Sequence, residues 1–124
     1  MRNFRELEIW KKGMTLCNTI YDLCDRLPES ERFGLKSQIT RCAVSVPSNI
    51  AEGASRSIEL DFMRFLEIAL GSCYELETQV LIAQQRFLQG KEQNEIMELL
   101  WSEQKMITAF HQKIKTTMTK KAIS

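Results

Sequence analysis

The sequence predicts an all-α protein, an antiparallel up-down-up-down four-helix bundle with helix 2 kinked at a proline. Three observations carry that prediction. Apolar residues recur at alternating spacings of three and four along four long stretches, the seam pattern of packed helices. Only five Gly and two Pro punctuate the chain, too few for a β-rich fold. No strand pattern and no internal repeat competes. A length of 124 residues fits one domain. Such a domain buries roughly two-thirds of the surface its unfolded chain exposes, so it folds without disulfides or metal.

The first helix is predicted over about 4–26. Leu7, Trp10, Met14, Cys17, Tyr21 and Cys24 form one stripe, and Ile9, Leu16, Ile20, Leu23 and Leu27 run beside it. At about 100° per residue the two stripes cover roughly half the circumference. A surface helix needs an apolar stripe only a little over ~100° wide. The surplus predicts a subunit interface through Ile9, Leu16, Ile20 and Leu23. Pro28 ends the helix, since its ring and missing N–H prevent continuation.

Helix 2 is predicted over 32–52, with Leu35, Ile39, Cys42, Val46 and Ile50 as its core stripe. Pro47 inside it removes the bond to the Ala43 carbonyl and predicts a kink; Gly53 reads as the stop. Helix 3 is predicted from a Ser57 N-cap, with Glu59 and Asp61 in its positive first turn, to residue 87 or 88. Phe62, Phe65, Leu66, Ala69, Cys73, Leu76, Val80, Ala83 and Phe87 line its main face. Gly71, Ser72 and Cys73 at mid-helix predict close approach of a neighbouring backbone, and Gly90 ends the helix. Helix 4 is predicted over 93–117, with Ile96, Leu99, Leu100, Met106, Ile107, Phe110, Ile114 and Met118 on one face. The bundle thus occupies 1–118, and 119–124 reads as a flexible basic tail.

Composition narrows the function. A formal net charge of +1 supplies no overall basic field of the kind a strong nucleic-acid binder carries. Charge is nevertheless uneven. Residues 32–51 hold Arg32, Lys36 and Arg41 with no acid, and residues 111–124 hold four lysines with no acid. Cys17, Cys24, Cys42 and Cys73 form no CxxC pair and read as reduced thiols in a cytoplasmic protein. No apolar run approaches the ~20 residues that span a bilayer, and the charged start lacks a signal segment.

The densest polar pattern lies in residues 41–56. Arg41, Ser45, Ser48, Asn49, Glu52 and Arg56 recur at helical spacing on one flank of helix 2. The stripe is either a solvated edge, with Glu52 and Arg56 paired at i,i+4, or a polar cluster at an interface or groove opened by the kink. Asn49, beside Val46 and Ile50, needs a specific hydrogen-bond partner. Glu75 shares a flank of helix 3 with Arg64, Ile68 and Gly71, either exposed or neutralised by Arg41. Glu103 falls inside the apolar stripe of helix 4. It must pair, for instance with the Trp10 N–H or a basic side chain, shift its pKa, or reach solvent.

His111 is the only histidine and lacks neighbours at metal-ligand spacing. No P-loop, dinucleotide fingerprint, nucleophile elbow or Cys–His constellation is present. The sequence therefore predicts no enzyme, catalytic residue, cofactor or metal, and no small-molecule substrate is evident.

The run Ala43-Val44-Ser45-Val46-Pro47-Ser48-Asn49-Ile50-Ala51-Glu52-Gly53 resembles the signature of a bacterial four-helix-bundle family. That family includes proteins encoded within intervening sequences of large-subunit ribosomal RNA genes, sometimes labelled S23 ribosomal proteins. Residues 62–72, the stretch Tyr74-Glu75-Leu76-Glu77 and the opening 4–10 fit the same family. The resemblance implies a homo-oligomer, commonly a pentameric ring. It is also similar to accessory proteins of diversity-generating retroelements, which bind nucleic acid and a reverse transcriptase. Carried over, Ser45, Asn49, Glu52, Gly53, Arg56 and Glu75 would be the signature polar positions.

The leading expectation is an oligomeric scaffold engaging RNA or an RNA-associated protein through Lys36, Arg41, Arg56 and Arg64. Near-zero net charge motivates the rival, a protein-interaction module with no nucleic-acid role. A weaker third reading is a small-molecule binder using the room beside Pro47.

Overall fold

A computed structural model describes residues 2–88 and 94–123, the side chain of Ile123 excepted. Their helices are α1 (Glu8–Cys24), α2 (Leu35–Ala54), α3 (Glu59–Phe87) and α4 (Asn94–Ile123). Short 3-10 turns cover Phe4–Glu6 and Glu29–Glu31, and no strand occurs among the described residues. Helix α2 lies against α1 and α3, α3 against α4, and α4 against α1, the packing of a four-helix bundle. No helix among the described residues is long and apolar enough to cross a membrane.

The helix starts differ from expectation for local reasons. The Asn3 side chain caps the Phe4–Glu6 turn, so α1 proper begins at Glu8. Before α2, Glu31 Oε1 accepts a 3.2 Å bond from the Leu35 N–H and serves a first-turn donor. Ile58, not Ser57, is the α3 N-cap, and it makes no side-chain capping bond. Glu59 and Asp61 supply the favourable charge there. Helix α4 continues to Ile123, so residues 119–123, expected as a separate tail, belong to its C-terminal end. The expected stop at Gly90 lies outside the described residues.

The core forms two clusters. One gathers Leu16, Ile20, Leu23, Ile39, Leu76, Val80 and Leu100; the other gathers Ile9, Val46, Ile50, Phe62, Leu66, Ile107 and Ile114. This arrangement corrects the interface expected on α1. Ile9, Leu16, Ile20 and Leu23 are at most 2% exposed within one chain, so no second subunit can reach them. A helix held between α2 and α4 must bury a wider arc than one resting on a single neighbour, and that use consumes the surplus. Only Met14 and Tyr21 of the paired stripes remain exposed.

Two glycines also exchange roles. Gly53 is buried inside α2 instead of ending it. A Cβ there would lie 2.6 Å from Phe65 Cβ and 2.8 Å from Phe62 Cδ1, so its absence lets α2 and α3 close at their shared corner. Gly71, expected at a tight crossing, faces open space with nothing within 4 Å of an added Cβ. The neighbouring Ser72 and Cys73 are the residues buried against the bundle.

Candidate functional site

Where α2 crosses mid-α3, the polar flank of α2 meets a matching flank of α3. Asn49 Nδ2 donates to the Ser45 carbonyl at 2.8 Å and to Ser45 Oγ at 2.9 Å. Ser45 Oγ lies 2.8 Å from Ser72 Oγ. Ser45 Oγ, with two lone pairs and one proton, can accept from Asn49 and still share a hydrogen bond with Ser72 in either direction. Cys42 Sγ in turn donates to the Ser72 carbonyl at 3.1 Å. Asn49 therefore has the specific partner its position demanded, and Ser45, Ser72 and Cys42 tie the two helices together.

Beside this chain of bonds opens a cavity of about 300 Å³. Gln38, Arg41, Cys42 and Ser45 line it from α2, and Ser72, Glu75 and Gln79 from α3. Its charges are a single cation and a single carboxylate. Arg41 is exposed and makes no ion pair or hydrogen bond among the described residues, so it does not neutralise Glu75 by direct contact. Gln79 is only 8% exposed, yet its Oε1 has no hydrogen-bond partner. Burial, reinforced by the Glu75 charge and hydrogen bond, pushes the Cys42 thiol up to about 12. It stays protonated near neutral pH and is no nucleophile.

The four cations expected to contact nucleic acid are not gathered into one patch. Lys36 lines a different cavity, with Tyr21, Asp25 and Phe33 between α1 and α2. Arg41 faces the α2–α3 cavity. Arg56 bonds Glu52 at 2.7 Å and lies over the Phe65 ring at 4.9 Å. Arg64 pairs with Asp61 at 3.7 Å. Of the signature positions, Ser45, Asn49 and Glu75 belong to the cavity region, while Glu52 and Gly53 stand at the corner with Arg56. Sequence reasoning missed Gln38, Ser72 and Gln79. A signal existed for the last two, because Ser72, Glu75 and Gln79 recur at spacings of three and four on one face of α3.

Away from this cavity, Glu103 is fully buried and neither carboxyl oxygen has a hydrogen-bond partner. Trp10 does not satisfy it, and Lys12 Nζ donates instead to Ser102 Oγ at 3.0 Å. Burial raises the Glu103 carboxyl to about 8, against the opposing pull of the Lys12 charge. Gly13 makes room for it: a Cβ there would lie 2.9 Å from Glu103 Oε2 and 3.5 Å from Pro47. His111 bonds Glu67 at 2.7 Å, and no group of His, Cys, Asp and Glu among the described residues could hold a metal ion.

The cavity is therefore a polar, charge-balanced recess between two helices, built from a seryl–asparaginyl bond chain and without an activated nucleophile. Compared with curated proteins, the chain finds no match. A family profile matches residues 5–109, most of all four helices, and by that match the chain belongs to the 23S rRNA-intervening sequence protein family.

Proposed function

We propose that this protein is a non-enzymatic, cytoplasmic, homo-oligomeric scaffold that assembles through the outer face of α3 and engages RNA or an RNA-linked partner. In this reading the helices alternate up and down, and α2 bends at Pro47. Three sets of contacts support the alternation. Ser45 meets Ser72 while Gly53 meets Phe62 and Phe65. Glu77 meets Gln104 while Glu67 meets His111. Gly13 meets Pro47, and Cys24 lines one cavity with Lys36. In each set the numbering falls along one helix as it rises along the other. The bond that Pro47 cannot make to Ala43 supports the bend.

The observation that carries the assembly is the solvent face of α3. Leu60, Ile68, Tyr74 and Ile82 are 45%, 51%, 53% and 44% exposed. They flank Gly71, whose missing side chain leaves open space for a neighbouring backbone. Monomers seldom expose several large apolar side chains along one face without a binding role. A ring of five subunits is the arrangement the family resemblance implies. Light scattering tests the reading: we expect an oligomer in the wild type and smaller species in Ile68→Glu and Tyr74→Glu. A stable wild-type monomer at micromolar concentration removes it.

A second reading, a protein-interaction module with no nucleic-acid role, draws on Arg56 and Arg64 being engaged by carboxylates of their own chain. Salt-dependent binding of a structured RNA supports the first reading, and absent binding at low salt supports the second.

A further inference from the structure

We propose that the cavity between α2 and α3 is a binding site for a small zwitterion, a molecule carrying a carboxylate and an ammonium group, of the α-amino acid class. The inference is independent of the scaffold reading, since it concerns a recess within one chain.

The lining chooses the ligand by elimination. Its volume of about 300 Å³ is at the lower edge of small-molecule sites, which excludes a folded peptide or a nucleotide held whole. Its formal charge sums to zero, because Arg41 and Glu75 offset each other and the Cys42 thiol stays protonated. A phosphate or dicarboxylate would meet the Glu75 charge, and a simple cation would meet Arg41. An apolar ligand would cover Arg41 and Glu75 without pairing either charge. A zwitterion meets both charges at once. Its carboxylate accepts from the Arg41 guanidinium, which no described residue engages. Its ammonium donates to the Glu75 carboxylate, on the same helix as Gln79, which also lines the recess. The Ser45–Ser72 bond, with Asn49 donating into Ser45, joins the two walls. Arg41 and Glu75 make no ion pair with each other, so neither must be released before the ligand enters.

Isothermal titration calorimetry on the full chain tests this, with glycine, L-serine and L-glutamine as probes and acetate and methylammonium as half-ligands. We expect saturable binding of at least one amino acid, with both half-ligands weaker by about ten-fold or more. Arg41→Met and Glu75→Gln should each weaken the amino acid by a similar factor. Both side chains are exposed, so the variants should keep the wild-type melting curve and light-scattering mass, which are measured alongside. No heat from any amino acid at millimolar concentration overturns the proposal. So does acetate binding as tightly as the amino acids, which would make this a plain anion site. Binding that survives both substitutions overturns it as well.

Discussion

Glu103 is the residue at which the chain departs furthest from what its environment favours. A carboxyl in an apolar stripe with neither oxygen hydrogen-bonded is costly when charged, and burial holds it near 8 against an ordinary 4.5. The unfolded chain therefore releases this proton at a lower pH than the folded one does. Between the two values the folded state binds more protons, so this group's contribution to stability is greatest below 4.5, falls as pH rises, and levels off above about 8. Chemical denaturation across that window should show a fall of at most about 1.4 kcal/mol per pH unit. In Glu103→Gln, which cannot ionise, this fall should vanish. A wild-type profile flat from pH 5 to 8 would show that the carboxyl finds a partner after all. Gly53 gives a second residue-scale test. Alanine usually favours a helix over glycine by up to about 1 kcal/mol. Here the added methyl meets two phenylalanine side chains, so Gly53→Ala should destabilise by about 1–3 kcal/mol in denaturant titrations. At Gly71, open to solvent, the same change should leave the fold as stable or more so.

At the scale of elements, periodicity conveyed which residues go inside but not what lies opposite them. The stripes of α2, α3 and α4 are the stripes that pack: Ile39, Val46 and Ile50; Phe62, Leu66, Leu76 and Val80; Ile96, Leu100, Ile107 and Ile114 are all buried. The α1 stripes were equally legible, yet their meaning was not. An apolar arc records how much of a helix is covered, and cannot say whether its own chain or another copy covers it. The same limit explains the glycines, because a missing side chain marks a close approach only where a neighbour exists. It also explains the cavity. Asn49, Ser45 and Glu75 stand out as polar groups at helical spacing, and Gln79 shares the spacing of Glu75, but only the α2–α3 crossing sets it across one cavity from Arg41. Helix ends are the least legible, since at the α2 start a Glu31 carboxylate reaches forward to accept from the Leu35 N–H.

For the whole molecule, the open question is whether scattered cations combine on assembly. Within one chain, Lys36 and Arg41 face different cavities and Arg56 and Arg64 are bonded internally, so these four cations form no continuous basic track. A ring built on α3 would repeat each cation around an axis and turn single charges into a band. Exposed ion pairs of the Arg64–Asp61 kind contribute at most about 1 kcal/mol and yield readily to a phosphate. Anisotropy titrations of a structured RNA and a matched duplex DNA across a salt series should then give a log–log slope of several units, about 0.7–0.9 per phosphate contact. Lys36→Ala or Arg41→Ala should lower that slope by more than one contact in the oligomer, because each substitution is repeated in every subunit. In the Ile68→Glu variant both affinity and slope should collapse together. If RNA binding persists unchanged in that variant, the cations act from single chains and the band is not the binding surface. A flat salt series at low ionic strength would point to protein partners for the α3 face.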